Sequence, residues 1–403
     1  MTSPVHDKPL PLWETNAAES TAVFERLWRE YGPMVWVELE PGVNAWLVMG
    51  YEELKTVTTS THLFAQSPEH WGDFANGVVP PDSPLGAVMF PRNSATRADG
   101  EEHRRLRAPV VAAIESIDHR RLRRVVQALC TNLMETFAER GKADLVAEYA
   151  SAVPVLSVGE LIGLDPRQSH ELLSATQALL GNGEDAYDGN RRLLSLLGSH
   201  IELRRARPAD DITSVVLNHP DLRNDGEVVE SLLLLVAAGN YMTVNWISQA
   251  LRLMLTDSRF AGRVRGGRLG VDDALDEVLS IAPPMSNVPA RYALRDTELG
   301  GRLVRRGDAM ILGVAGATYD PRAHAGTALR YRTHLAWSLG AHGCPGRDPG
   351  RTMTRTAVAT ALHLLRDVRL AVDPADLQFA VTPWSRGLVS LPVAFTGVGD
   401  ADE

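Results

Sequence analysis

A mainly α-helical chain with a smaller β-rich portion is the fold class that the sequence predicts, as one domain over residues 1–403, and three observations carry it. From Glu101 to about Leu279 the apolar residues recur at helical spacing. Within that region Glu227–Leu255 reads as one apolar-rich helix, long enough to cross the whole molecule. Period-two alternation appears only in short runs near the N-terminus and in the C-terminal third.

Taken in order, the first element is a β-hairpin. Val35-Trp36-Val37-Glu38-Leu39 and Asn44-Ala45-Trp46-Leu47-Val48 alternate and flank Pro41-Gly42. Residues 67–99 are rich in Gly and Pro without a sustained period, and a long irregular segment inside a compact chain is usually functional or disordered. The helical region follows, with the turn-forming Asn224-Asp225-Gly226 opening its long helix. Short strands are expected at Glu298–Val304, Ala309–Val314, Leu377–Val381 and Val389–Phe395. No internal repeat, low-complexity tract or clean linker interrupts the chain.

Composition narrows the setting. The formal charge is −9, without long blocks of one sign, whereas nucleic-acid binding needs a basic footprint. Two cysteines, Cys130 and Cys344, rule out a disulfide framework and point to a reducing cytoplasm. The N-terminal Met1–Lys8 lacks the order of a signal peptide, and the longest greasy stretch, Leu232–Ala238, is too short for a bilayer, so neither secretion nor a membrane is expected. Lysine occurs only at Lys8, Lys55 and Lys142, with Arg supplying the other cations, a bias that reads as GC-rich coding rather than chemistry.

The informative stretch is His334-Leu335-Ala336-Trp337-Ser338-Leu339-Gly340-Ala341-His342-Gly343-Cys344-Pro345-Gly346, followed by an Arg-rich helix with Arg347, Arg351 and Arg355. Three glycines around one cysteine permit backbone conformations that press a loop against a flat ligand while presenting one sulfur. The start of the following helix brings a positive dipole end near that sulfur, which favours thiolate. By itself the pattern is equally a buried, inert cysteine on a Gly-rich turn.

This segment resembles the haem-ligand loop of the cytochromes P450, Phe-Gly-x-Gly-x-His-x-Cys-x-Gly. Gly340, His342, Cys344 and Gly346 fall in register, while Trp337 and Ser338 depart from the first Phe-Gly pair. The resemblance implies haem b, iron protoporphyrin IX, with Cys344 as the metal ligand, whose thiolate donates electron density that helps break the O–O bond. His103 and Arg107 resemble the family's His-x-x-x-Arg pair, and their i, i+4 spacing shares a helical face that would meet a propionate. Alone, that pair would read as a solvated basic face. Arg291 resembles the strand arginine that pairs with the other propionate, a contact suited to bidentate bonding. His342 resembles the loop's propionate-contacting residue, and Arg386–Pro392 the family's last hairpin.

Two departures bear on function. The long helix generally carries Ala-Gly-x-acid-Thr-Thr over the iron, and here reads Ala238-Gly239-Asn240-Tyr241-Met242-Thr243. Ala238 and Gly239 are expected to keep the oxygen space. A tyrosine of pKa about 10 relays protons less well than a carboxyl of pKa about 4, and methionine donates none. Thr243 keeps a hydroxyl, rotated by roughly 100° along the helix. Asn240, Tyr241 and Thr243 are therefore the candidate catalytic side chains, with water or substrate as further proton sources.

The second departure lies in the family's Glu-x-x-Arg motif, where Glu277 is present but Ser280 replaces the arginine. The segment from Asp320-Pro321 to His334 also looks shorter than usual, and Arg330 or Arg332 is expected to pair with Glu277. A buried carboxylate needs some such partner.

The resemblance implies a soluble, monomeric oxidoreductase that oxidises a small secondary metabolite with O2 by hydroxylation or oxidative coupling. Electrons would come from a separate ferredoxin and ferredoxin reductase, with Arg104, Arg105, Arg347 and Arg351 as an acidic carrier's dock. His70, Trp71, Phe74 and Phe90 would line a coupling pocket, or simply pack within their loop. The alternative from another class is a P450-like haem protein without turnover: a sensor, carrier or degenerate paralogue.

Overall fold

The N-terminal alternation forms a hairpin because Gly42, at φ +82°, supplies a turn conformation that side-chain-bearing residues disfavour. The computed structural model describes residues 8–179, 184–267, 269–323 and 333–399. Strands β1 (Leu10–Pro11), β2 (Met34–Glu40), β3 (Val43–Val48), β4 (Phe64–Ala65), β5 (Val288–Ala293) and β6 (Ala309–Leu312) build one sheet in the order β1-β2-β3-β6-β5-β4. β2 and β3 pair antiparallel with Trp36 opposite Trp46, as the alternation predicts. β3 and β6 run parallel, which joins the N-terminal hairpin to the C-terminal third. A last hairpin pairs β7 (Phe379–Val381) with β8 (Arg386–Leu388).

Helices supply most of the remainder. Those that position the site are α1 (Tyr51–Thr59), α2 (Gly100–Glu115), α3 (His119–Glu135), α4 (Ala152–Leu161), α5 (Asp225–Thr256), α6 (Ser258–Arg265), α7 (Val271–Ile281) and α8 (Arg347–Leu364). The predicted turn before the long helix is its cap: the Asn224 side chain accepts a hydrogen bond from the Glu227 backbone N–H at 3.1 Å. Asp225 and Glu227 then place negative charge in its first turn.

α5 is the spine of the core. Its N-terminal half, through Val228, Leu232 and Val236, packs with Val155 and Val158 of α4. Its C-terminal half, Trp246 to Met254, packs with Met353, Ala357 and Ala361 of α8 and with Cys130 of α3. By length and composition α5 also passes as a membrane span, but this packing on both halves gives its apolar surface a partner inside the protein.

Three strand expectations shift. Glu298–Val304 is a hairpin of Thr297–Leu299 and Arg302–Val304, because Gly300 and Gly301 both take positive φ and turn the chain. The strand expected to reach Val314 stops at Leu312, and Val314–Ala317 forms one helical turn. At the C-terminus the runs shorten to Phe379–Val381 and Pro392–Ala394.

Candidate active site

The cysteine loop is folded back by its own backbone. Ser338 N–H donates to Leu335 O at 2.9 Å, Gly343 N–H to Gly340 O at 3.0 Å, and Cys344 N–H to Trp337 O at 2.8 Å. These bonds bring Cys344 to the loop's end, just before α8. Gly340, at φ +70°, lies so close to α1 that a Cβ there would sit 2.4 Å from Thr58 O, so the position admits only glycine. Ser338 also holds a left-handed φ, of 56°, without being glycine. Trp337 meets Trp246 of α5 edge-on, with ring centroids 5.4 Å apart.

Cys344 is exposed, yet enough protein surrounds its sulfur that desolvation pushes the thiol pKa up. The Gly346 N–H and the Arg107 charge oppose that shift and do not overcome it. The helix start therefore provides a donor, but the net direction is opposite to the expected thiolate. A coordinated metal cation would deprotonate the sulfur outright.

Beside the sulfur lies a basic cluster short of anions. His103 of α2 stacks on His342 at 3.9 Å between ring centroids. Arg107, one turn on, donates to Gly343 O of the loop at 2.5 Å. Arg291, 4% exposed, donates to its neighbour Ala290 O, and Arg97 to Thr96 O and Val88 O. Among these groups the carboxylate is Asp99, which accepts from Gln66 N and Ser67 N and lies 3.8 Å from His342 Nε2.

Electrostatics register the shortage. Burial, with the charges of His342 and Arg107, pushes His103 down to about 4, and burial pushes Arg291 down to about 10. Arg97, Arg107 and His342 are lowered too, in each case mostly by burial. The buried His103 Nε2 and Arg97 Nε have no hydrogen-bond partner.

The middle of α5 faces open space. Ala237 and Ala238 are exposed although the helix is buried on both sides of them. A Cβ on Gly239 would meet Val158 Cγ2 at 3.1 Å, so this glycine serves contact with α4. Asn240 and Thr243 are buried, and Asn240 Oδ1 has no partner. The Tyr241 hydroxyl is 2.6 Å from Ser385 Oγ in the turn of the last hairpin, and is thus tied across the structure.

Known proteins resemble this chain along nearly its whole length. A 2-hydroxy-5-methyl-1-naphthoate 7-hydroxylase of Streptomyces carzinostaticus is 26% identical over 92% of this chain and 93% of its own. The nocardicin C N-oxygenase of Nocardia uniformis subsp. tsuyamanensis is 27% identical over 90% and 92%. The solved structure of CYP154A1 from Streptomyces coelicolor A3(2) superposes at a TM-score of 0.80, 29% identical, covering 94% of this chain and 98% of that one. CYP154C4 from Streptomyces sp. W2061 reaches 0.85 at 25% identity, over 98% and 100%. This chain belongs to the cytochrome P450 family. No family model matches it.

As a cytochrome P450 it is a monooxygenase with haem b, and its residues fit that group. Five basic side chains (His103, His342, Arg97, Arg107 and Arg291) with few carboxylates suit two propionates. Arg97 Nε is a donor without an acceptor, and His103 Nε2 is likewise unpartnered. Cys344 would supply the sulfur, and the exposed Ala237-Ala238 stretch leaves room on α5.

Other sequence expectations fare differently in this P450. Trp71 is 0% exposed and stacks between Phe74 and Tyr292, and Phe74 abuts Phe90. These rings form an internal stack in the core, the loop-packing alternative, and His70 points to solvent. Glu277 pairs with Arg263 of α6, while Arg330 and Arg332 lie outside the described residues. Ser280 bonds to Thr318. Arg105 is committed to Glu102 and Glu227, and Arg351 to Asp276, so neither is a free docking cation. Arg97 and Asp99 were missed because no spacing rule singles out two side chains in an aperiodic segment.

Proposed function

We propose that this P450 hydroxylates a small secondary metabolite in the cytoplasm, as a single-domain monomer reduced by a separate ferredoxin and its reductase. The observation that carries the reading is the basic cluster at the cysteine loop: Arg107, whose charge acts on Cys344, together with His103, His342, Arg97 and Arg291, a set that suits two carboxylates. With haem b bound through Cys344, the group supplies reductive activation of dioxygen for insertion of one oxygen atom into a C–H bond. His103, His342, Arg97 and Arg291 would hold the propionates, while Arg107 holds the loop through Gly343 O. Hydroxylation is favoured over coupling because named relatives include a hydroxylase and an N-oxygenase, and because the aromatic rings expected to hold a second partner are packed into the core.

Proton supply differs from the acid-alcohol arrangement. Tyr241 is turned to Ser385, where its hydroxyl steadies the last hairpin. Asn240 Oδ1, buried and without a partner, is the free acceptor on this stretch and can hold a water or a substrate hydroxyl. Thr243 supports the same helix turn from a buried position.

Electron delivery is read at a different surface from Arg105 and Arg351. A groove of about 780 Å³ between α3 and α8 is lined by His119, Arg120, Arg123, Arg124, Arg355 and His363. Its α8 wall follows directly from Cys344, and a basic groove there suits an acidic carrier. Arg104 and Arg347 are both exposed.

Reconstitution with a bacterial ferredoxin, its reductase and a library of polyketide and aromatic metabolites is the test. The expected product is heavier than its substrate by one oxygen atom, and Tyr241→Asp with Met242→Thr should lower the fraction of oxygen lost as peroxide. Dimer masses would instead favour coupling, and unchanged peroxide would remove Tyr241 and Met242 from the account of proton supply.

A further inference from the structure

The cysteine loop is long, lacks regular strand structure and contains left-handed residues at Ser338 and Gly340. Left to itself such a segment has much conformational freedom, and a metal ligand at its end needs that freedom removed. Earlier in the chain, Asp320 accepts from Tyr51 N–H at 2.9 Å, and Arg322 bridges Asp320 and Glu53, all against α1. Besides its contacts with α1, α2 and α5, the loop is fixed from both sides by a set of contacts on α7.

Two residues that bracket the loop converge on one carboxylate oxygen. His334, before Cys344, places Nε2 3.5 Å from Asp276 Oδ1. Arg351, after Cys344 and on α8, ion-pairs through Nη2 with the same Asp276 Oδ1, and its Nη1 donates to Asp272 O at 3.4 Å. Asp276 and Arg351 are each 19% exposed, and His334 is 7% exposed. The Arg351 guanidinium also lies 5.8 Å from the Trp246 ring, which is the ring that Trp337 of the loop meets edge-on. Gly350 completes the contact, since a Cβ there would lie 3.9 Å from Trp337. Arg355 adds a second tie from α8 to α7, 3.2 Å from Asp272.

We propose that Asp276 is the positioning residue of the cysteine loop, a single carboxylate on α7 that clamps His334 and Arg351 and so holds Cys344 at its working position. The neighbouring Glu277 faces α6 through Arg263 and does not share in the clamp. The pairing is charge-assisted and largely shielded, so loss of the carboxylate leaves an uncompensated guanidinium beside Trp246. Trp246 and Trp337 then lose the group that presses them together, and the loop regains its freedom at both ends. This rests on the reading of Cys344 as the haem ligand.

The experiment compares Asp276→Asn with Glu277→Gln, by the carbon-monoxide difference spectrum of the reduced holoprotein and by the rate of haem transfer to apomyoglobin. For Asp276→Asn the expected result is at least a tenfold faster haem loss and a share of the absorption moved from the thiolate-type band to the blue-shifted band. Glu277→Gln should leave both readouts at the wild-type value. Asp276→Glu, which keeps the charge, should restore most of the thiolate band, and Arg351→Gln on top of Asp276→Asn should add little. If Asp276→Asn does not fold, Arg351→Lys and His334→Ala carry the same test, each with a partial shift. A wild-type band and transfer rate in Asp276→Asn or in both substitutes, or an equal loss in Glu277→Gln, overturns the clamp. Absence of the thiolate band from the wild type itself would instead overturn the haem-ligand reading.

Discussion

Ser338 holds a φ of 56° where the family loop carries glycine, and its buried hydroxyl has no partner. A left-handed conformation costs a side-chain-bearing residue about 1–2 kcal/mol, and glycine returns about 0.5–1 kcal/mol of that through a more flexible unfolded chain. Ser338→Gly should therefore stabilise the protein by about 1 kcal/mol, read as a higher urea midpoint at unchanged slope. A lower midpoint would mean that the serine makes a contact worth more than its strain. At this scale the sequence is most informative where chemistry is carried by a fixed spacing. The loop's spacing singles out Cys344, His342 and Gly346 as candidates, and the strand pattern Arg291. The direction of the Arg107 side chain is not, because its acceptor, Gly343 O, is set by how α2 crosses the loop. Nor is the partner of Tyr241, since Ser385 reaches it only through the last hairpin.

Single helices are joined by buried ion pairs that no local pattern announces. Glu227, in the first turn of α5, is 3% exposed and bonded to Arg105 of α2 through both of its oxygens. The Arg105 hydrogen bond, aided by the Arg223 N–H, outweighs desolvation and holds this carboxyl at about 2, below its ordinary 4.5. A depressed carboxyl contributes stability that is complete above its unfolded pKa and is lost as pH falls through its folded pKa. Between about pH 4.5 and 2 the wild type should lose stability that Glu227→Gln never had, so the two unfolding curves should converge as acid is added. Near neutral pH the substitution should cost on the order of 3 kcal/mol. Curves that stay parallel down to pH 2 would contradict this role. Helix existence was readable from periodicity and the Asn224 cap, and α5 matches its expected span to within a few residues. Strand limits were less readable. Gly300-Gly301 broke one expected strand into a hairpin, and the shortened C-terminal strands depend on partners distant in sequence.

The whole molecule carries a net charge of −9 and still presents a basic groove between α3 and α8. Only the folded chain brings Arg120 and Arg123 to one groove beside Arg355, itself paired with Asp272, so the dock read from sequence included Arg105 and Arg351, which internal carboxylates occupy. If the groove receives an acidic carrier, Arg120→Glu with Arg123→Glu should slow ferredoxin-dependent reduction about tenfold at low ionic strength. The wild-type rate should fall with added salt, while the variant's rate should hardly change. Equal rates and equal salt dependence would place the carrier elsewhere. The central claim, that Cys344 holds haem iron through its sulfur among side chains that await two carboxylates, is tested most directly by one spectrum. Reduced protein exposed to carbon monoxide should show the thiolate-type band, and Cys344→Ser should lose it. A variant that keeps that band would contradict the account.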